Sequence, residues 1–312
     1  MIRYIFLLGT LVLRGTVALD SEDLAKIDAT FSSFITGANL ATTVRLVFHD
    51  CVGGCDGCVN INDPDNAGLQ NIIERLDVAY TNRRNGFSSL MSRADFWVYA
   101  SLYALRSTTA LANAACSEEA CVVPESSLVF TTGRTDCETA PFTDSIDNLP
   151  GANLNYTGVV DYFKEEFGFT DEESIALMGV HTLGLAHPTA SGYQGPWVRG
   201  ETTLFNNNYY ATMASTDAGW RQRDVDLTGS SPKVQWNSRT GMMLNADMGL
   251  YKDFTLNENG EASCAYNDCV ETPGASKVLE YGNSNAVWVR DFESVFTKMI
   301  NHGAENLQEI AV

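Results

Sequence analysis

The segment RLVFHDC, residues 45–51, combines most of an apolar stripe of helical spacing with two polar side chains one turn apart. The apolar side chains recur at intervals of three and four residues: Val44, Val47, Phe48 and Cys51. This spacing predicts a helix, which we place at residues 42–52. Arg45 and His49 are four residues apart, so they share a second face of that helix, offset from the stripe.

The Arg45–His49 pair has two interpretations. On an exposed helix it is an ordinary surface pair. Facing a cavity, a neutral imidazole takes a proton from a bound peroxide and returns it to the leaving oxygen. A guanidinium beside it stabilises the negative charge that develops as the O–O bond breaks. This segment alone leaves both interpretations open.

A second segment, ALMGVHTLGLAH at residues 176–187, holds two more of the chain's four histidines. Thr170 and Glu173 form a capping box, which predicts a helix that begins there and runs to His181. A histidine held at a helix end can ligate haem iron. The alternative is a histidine packed in the core.

Helical periodicity dominates the rest of the chain. Apolar spacing predicts a broad buried helix at 96–105, another at 160–167 and a terminal helix at 292–299. Residues 141–155 and 187–208 are rich in Gly, Asn and Pro and predict connections. We therefore expect an all-α fold with minor short strands, and we expect those strands in the second half only.

The first 18 residues have the pattern of a removable secretion signal. Arg3 precedes an apolar run of ten residues at 4–13, and small residues follow at 16–18. The run is too short to span a bilayer, which takes roughly 20 residues. We expect a signal peptide at residues 1–18 and a single secreted, extracellular domain at 19–312.

Secretion changes the meaning of the eight cysteines, because an oxidising compartment favours disulfides. Short separations predict the pairs Cys116–Cys121 and Cys264–Cys269. The other four cysteines would form two more disulfides of undetermined connectivity: Cys51, Cys55, Cys58 and Cys137. The glycosylation sequon at Asn155 agrees with the secretory route.

The formal net charge is −19, and loss of a basic signal would make it more negative. Such a surface repels phosphate backbones and anionic lipid heads, so we expect neither a nucleic-acid nor a membrane partner. A cationic protein partner or small neutral substrates stay open. The simpler interpretation is that acidity keeps a secreted protein soluble.

Several motifs, in order along residues 40–255, resemble the plant, fungal and bacterial haem peroxidase superfamily. Besides the two segments above, they include SRADFWVYASLYAL (92–105) and TTGR (131–134). Three others resemble cytochrome c peroxidase and ascorbate peroxidase in particular: DPDNAGLQN (63–71), SGYQGPW (191–197) and GMMLNADMGLYKD (241–253). The resemblance implies haem b between a distal lobe, about 19–150, and a proximal lobe, about 151–312. It also implies reduction of hydrogen peroxide and oxidation of one-electron donors through ferryl intermediates.

On the distal side, the resemblance assigns Arg45 and His49 to the catalytic pair and Phe48 to the aromatic position over the haem. Asn66 matches the amide whose oxygen holds the other ring N–H of the distal histidine. That bond leaves the basic ring nitrogen facing peroxide.

On the proximal side, His181 matches the iron ligand and Asp247 the carboxylate that accepts its distant N–H. Trp197 matches the tryptophan that stacks beside this ligand in cytochrome c peroxidase and stores an oxidising equivalent as a radical; plain packing is the alternative. Thr182 is counted with Phe48 and Trp197 among the haem-binding residues. Secreted members carry Phe in place of this Trp, so the chain resembles a hybrid.

Departures from the family pattern bear on the electron donor. Ala190 stands where ascorbate peroxidases have Arg, and Ala38 and Thr42 stand where manganese peroxidases have acids. Small phenolic or aromatic donors at the haem edge are therefore expected. The alternative is electron acceptance from a cationic redox protein through Trp197.

The resemblance also bears on calcium. Three positions match the distal calcium ligands of secreted members: Asp50, the Gly54 carbonyl and Asp56. Hard oxygen ligands suit this ion. Cys58 replaces a serine ligand, which weakens the site or commits the sulfur to a disulfide. On the proximal side Thr182 matches, but Asn206 replaces the expected Asp.

Two rival interpretations remain. Cys51, Cys55 and Cys58 have the spacing of a radical-SAM cluster loop, and His49 beside them suggests zinc. Secretion and the lack of a strand–helix alternation argue against both. A non-enzymatic haem-binding protein would keep the pocket without turnover, and it would be expected to lose Arg45 or His49.

Overall fold

Helices dominate the computed structural model, which describes residues 19–145, 148–225 and 233–310. The α-helices in this part of the chain are α1 Ser21–Phe31, α2 Ala38–Cys51, α3 Gln70–Thr81, α4 Arg93–Ala115, α5 Tyr156–Phe167, α6 Asp171–Met178, α7 Pro188–Ser191, α8 Asn208–Ala214, α9 Asn245–Met248, α10 Ala275–Asn283 and α11 Asn285–Ile300. Short 3-10 turns lie at Pro64–Asn66, Phe87–Ser89, Glu119–Cys121, Gly179–Thr182 and Thr216–Ala218. The expected all-α class is confirmed. The predicted signal lies outside the described residues.

The strands are short and antiparallel: β1 Phe130–Thr132, β2 Leu185–Ala186, β3 Gly195–Pro196, β4 Arg221–Asp224, β5 Val234–Asn237, β6 Met242–Met243 and β7 Gln308–Ile310. β1 pairs with β7, β2 with β3, and β4, β5 and β6 form one sheet in that order. The expectation of strands in the second half only was wrong, because β1 lies in the first half. Phe130 pairs with Ile310, so the partner that makes this segment a strand lies more than half the chain away.

The buried centre of the first half is α4, which is mostly apolar and buried on every side over residues 93–102 and carries Phe96, Trp97 and Tyr99 inside the core. A helix that is apolar all round is expected in a core rather than at a surface. α2 packs along α4 and also contacts α11. α2 begins four residues before the predicted start, after Gly37, whose positive φ suits a glycine before a helix.

The predicted capping box opens α6. The Thr170 hydroxyl accepts from the Glu173 backbone N–H at 3.2 Å, and the Glu173 carboxylate accepts from the Thr170 N–H at 2.7 Å. The prediction that this helix runs to His181 was wrong, since α6 ends at Met178 and His181 lies in the 3-10 turn that follows. The turn packs tightly: a Cβ on Gly179 would lie 2.5 Å from the Tyr210 hydroxyl, so only glycine fits there.

All eight cysteines are in disulfides. The predicted pairs Cys116–Cys121 and Cys264–Cys269 are confirmed. The open connectivity resolves as Cys51–Cys55 and Cys58–Cys137. These bonds remove the thiolates that a cluster or zinc site would need. Within the described residues no helix is both long enough and apolar enough to cross a bilayer.

Candidate active site

His49 lies on α2 with its ring almost fully buried, at 8% exposure. Its Nδ1 is 2.6 Å from the side-chain oxygen of Asn66, which comes from the 3-10 turn at Pro64–Asn66. The Asn66 Nδ2 donates to the Asn60 carbonyl at 2.9 Å, and this bond turns the amide oxygen toward the ring. Asn66 can therefore only accept from His49, so the proton of the neutral ring lies on Nδ1.

Arg45 lies one turn earlier on α2, and its Nε donates to His49 Nε2 at 3.1 Å. The rest of the guanidinium donates to two carbonyls, those of Ala67 at 3.0 Å and Asp65 at 2.6 Å. Burial, followed by the positive charge of Arg45, lowers the pKa of His49 to about 3. The ring is thus a neutral base with its lone pair on Nε2 next to a fixed cation.

His181 has different surroundings. Its Nδ1 is 2.7 Å from Oδ1 of Asp247, a fully buried carboxylate on α9. The side chain of His181 is nevertheless 30% exposed. Among the described residues, Nε2 of His181 has no hydrogen-bond partner. Nδ1 of His181 is therefore hydrogen-bonded to a carboxylate, and Nε2 is free to bind a metal.

Trp197 stacks on His181, with ring centroids 4.5 Å apart and planes at 23°. Its indole Nε1 donates to Asp247 Oδ2 at 2.7 Å, so Trp197 and His181 bind opposite oxygens of one carboxylate. A close backbone approach fixes this loop: a Cβ on Gly241 would lie 1.9 Å from the Trp197 carbonyl oxygen. Position 241 therefore accepts only glycine.

Tyr209, which no sequence pattern indicated, also contacts Asp247. This tyrosine on α8 is fully buried, and its hydroxyl donates to Asp247 Oδ1 at 2.8 Å. Burial, with the negative charge of Asp247, raises the pKa of Tyr209 far above its ordinary value, so the phenol keeps its proton. The two residues are 38 positions apart, and no local pattern connects them.

Asp247 thus accepts four hydrogen bonds: from His181 and Tyr209 at Oδ1, and from Trp197 and the Leu244 backbone N–H at Oδ2. A carboxylate offers about four lone-pair directions, so this one is saturated. Its helix is held by Asn245, whose side-chain oxygen accepts from Trp236 Nε1 at 2.9 Å. The network keeps a buried charge in one orientation.

The segments that carry the two histidines approach each other at two points. A Cβ on Gly184, three residues after His181, would lie 3.1 Å from the Cβ of Ala41 on α2. A Cβ on Gly68 would lie 3.7 Å from both Ala190 and the Arg45 guanidinium. The structure therefore brings the predicted distal and proximal segments together.

Two further predicted haem contacts lie next to these groups. The half-buried Phe48 ring meets His49 edge-on at 5.8 Å between centroids and also packs against Phe163. Thr182 is fully buried and donates to Asn206 Oδ1 at 3.2 Å. Thr182 and Asn206, the two positions considered for proximal calcium, are thus bonded to each other.

Asp50, one of the residues predicted to bind distal calcium, is a buried acid. Asp50 Oδ1 accepts from the Cys58 backbone N–H at 2.9 Å, whereas Oδ2 is buried without a hydrogen-bond partner. Burial, followed by the charge of Asp56, raises the pKa of Asp50 well above its ordinary value. The Asp56 carboxylate lies within 4.8 Å of the Cys58 and Cys137 sulfurs, which bond to each other.

A mainly helical fold that carries both a carboxylate-backed imidazole with a free nitrogen and a neutral imidazole beside a guanidinium is the pattern of a haem-dependent peroxidase. Comparison with known proteins agrees: the model of the family described as Peroxidase matches residues 25–259. The chain belongs to this peroxidase family.

The individual relatives share 28–30% sequence identity with this chain. A protein of Pyricularia oryzae named "Putative heme-binding peroxidase" is 29% identical over 83% of this chain and 78% of its own length. The mitochondrial cytochrome c peroxidase of Aspergillus fumigatus is 30% identical over 55% of this chain, and that of Yarrowia lipolytica is 28% identical over 51%. These alignments span only 40% and 39% of the two cytochrome c peroxidases.

Proposed function

We propose that the chain binds haem b through His181 and reduces hydrogen peroxide on the opposite face with His49 and Arg45. The observation that carries the proposal is the contrast between the two imidazoles. Nδ1 of His181 faces a carboxylate and its Nε2 is unpartnered among the described residues, whereas Nε2 of His49 faces a guanidinium. The first arrangement makes a strong iron ligand, and the second makes a neutral base.

The residues present suit a haem. His181 offers a free ring nitrogen on a partly exposed side chain, although the carboxylate behind it is fully buried. α2 touches the His181 segment at Ala41, and His49 lies eight residues further along α2, about 12 Å at the usual helical rise. The macrocycle would lie between a distal lobe, about 19–150, and a proximal lobe, about 151–312, and this spacing along α2 would place His49 away from the contact point.

Haem would supply the iron that accepts an oxygen of peroxide and then holds the oxidising equivalents. The chain's own residues would move the protons. His49 Nε2 takes the peroxide proton and delivers it to the departing oxygen as water forms. Asn66 keeps the other ring nitrogen protonated, and Arg45 stabilises the negative charge that develops on the leaving oxygen.

Small phenolic or aromatic compounds are the proposed electron donors, at the edge of the haem. Ala190 offers no charge for ascorbate, and Ala38 and Thr42 offer no carboxylate for Mn(II). A cationic redox protein is the second candidate, favoured by Trp197, which stacks on His181 and shares its carboxylate. The net charge of −19 would attract such a partner, and two relatives are named for cytochrome c.

Secretion and distal calcium complete the proposal. Four disulfides support an extracellular location. Recovery of the protein from the culture medium tests the location, and N-terminal sequencing tests removal of the signal; an N-terminus at residue 1 would contradict that removal. The unpartnered Asp50 oxygen supports a cation, because a buried carboxylate oxygen without a partner is costly. Metal analysis of purified protein, with Asp50→Asn as the comparison, tests calcium.

The decisive experiment adds one equivalent of hydrogen peroxide to the haem-loaded protein and follows the haem absorbance. The proposal expects a rapid spectral change that is reversed by two equivalents of a phenol. A protein that binds haem but shows no rapid change would be a non-enzymatic haem carrier. Steady-state rates with a phenol, ascorbate, Mn(II) and reduced cytochrome c then rank the donors.

A further inference from the structure

Asp247 accepts one hydrogen bond besides those from His181, Trp197 and the Leu244 backbone N–H. Tyr209 donates to Oδ1 at 2.8 Å, and His181 Nδ1 lies 2.7 Å from the same oxygen. The two donors therefore share one atom, while Trp197 binds the other oxygen. Tyr209 also meets the ring of His181 edge-on, with centroids 6.1 Å apart and planes at 77°.

We propose that Tyr209 is a positioning residue that sets the strength of the iron ligand by competing with His181 for Asp247 Oδ1. Tyr209 would act through the carboxylate and would not touch substrate. This inference rests on the proposed function, because it requires His181 to bind the haem iron.

The physical argument concerns the electron density on one oxygen. A carboxylate oxygen that accepts from a phenol becomes a weaker acceptor for a second donor. The proton between His181 and Asp247 then stays closer to the imidazole, so the ring has less imidazolate character. A less anionic ligand stabilises Fe(III) less, which raises the Fe(III)/Fe(II) reduction potential and weakens the iron–histidine bond.

The geometry fixes the phenol in place. Its neighbour Tyr210, also fully buried, donates to the Ile175 carbonyl at 2.6 Å and ties α8 to α6. The Asn207 side chain donates to the Tyr281 carbonyl at 2.8 Å and ties the start of α8 to α10. The two tyrosines thus have different partners: Tyr210 bonds to backbone, and Tyr209 bonds to the acid behind the proposed ligand.

The experiment compares Tyr209→Phe with Tyr80→Phe, a matched loss of one buried hydroxyl, which in Tyr80 donates to the Met91 carbonyl at 3.0 Å. The measurements are the Fe(III)/Fe(II) midpoint potential and the iron–histidine stretching frequency of the reduced haem protein by resonance Raman spectroscopy. For Tyr209→Phe we expect a lower potential and a higher frequency. For Tyr80→Phe we expect wild-type values for both. An unchanged or oppositely shifted Tyr209→Phe, or equal shifts in both variants, would overturn the inference.

A second variant guards against loss of folding. Site-specific replacement of Tyr209 by a ring-fluorinated tyrosine keeps the shape and makes the hydroxyl a stronger donor, so potential and frequency are expected to shift in the opposite directions. A shift in the same direction as Tyr209→Phe would refute the competition. Wild-type protein that takes up no haem, or does not react with peroxide, would instead overturn the proposed function.

Discussion

The two histidine-bearing segments, proposed as the distal and proximal sides of the haem, use the same side chain in opposite ways. His49 and His181 each engage Nδ1 inside the protein, but the partner is a neutral amide for His49 and a carboxylate for His181. A guanidinium next to His49 helps to lower its pKa to about 3. The group behind each ring, rather than the ring itself, therefore suits His49 to the proposed role of base and His181 to the proposed role of iron ligand.

The largest effect on the peroxide reaction is expected from removing His49, the proposed distal base. His49→Leu should slow the reaction of the haem with peroxide by about 10²–10⁴-fold, because no other group can take and return the proton. Haem content should stay unchanged, since His181 is intact. Stopped-flow absorbance measures the rate, and the exposed His187→Leu serves as the control. Wild-type kinetics in His49→Leu would refute the assignment of the base.

The next largest effect, on haem retention, is expected from changing Asp247 on the proximal side. Asp247→Asn keeps the size of the side chain but replaces one carboxylate oxygen by an NH2 group. This group would face two hydrogen-bond donors: either His181 and Tyr209, or Trp197 and the Leu244 backbone N–H. We expect haem to dissociate about 10–100-fold faster, which is the usual cost of losing the partner of a ligating histidine. Transfer of haem to an acceptor protein gives the rate. Asp253→Asn, an exposed acid nearby, should behave as wild type; equal rates in both variants would contradict the role of Asp247.

The two sides also differ in how far the sequence predicted them. Arg45 and His49 lie one turn apart on a single helix, so local spacing was enough to put them together. His181, Trp197 and Asp247 are dispersed over the second half, and only the resemblance to haem peroxidases connected them. Neither the local spacing nor the resemblance predicted Tyr209, because its contact with Asp247 depends on how α8 packs.

The fold shows the same limit. The capping box at Thr170 and the periodicity of α4, α5 and α11 are local signals, and each predicted its helix. The β1–β7 pair is three residues long and joins distant parts of the chain, so its residues carry no strand pattern. The turn at His181 was missed because it depends on packing at Gly179 against Tyr210, not on propensity.

A smaller effect tests the amide that orients the distal ring. Asn66→Ala leaves the buried Nδ1–H of His49 without an acceptor, so we expect the protein to lose about 1–3 kcal/mol of stability. The peroxide reaction should slow less than in His49→Leu, because the base itself remains. Denaturant unfolding and stopped-flow absorbance measure the two effects. The exposed Asn62→Ala should change neither; if it matched Asn66→Ala, the hydrogen bond to His49 would carry no special weight.

The last prediction is a pH dependence of stability that arises from the distal histidine. Since the pKa of His49 is lowered to about 3, the folded protein binds no proton there between that pH and about 6.5, whereas the unfolded chain binds one. The contribution of His49 to stability is therefore full above pH 6.5 and falls with decreasing pH, by up to about 1.4 kcal/mol per pH unit. Unfolding free energies measured across this range should have a shallower slope in His49→Leu by about one proton. Identical slopes would mean that the ring is protonated in the folded protein, and the distinction between base and ligand would no longer rest on charge.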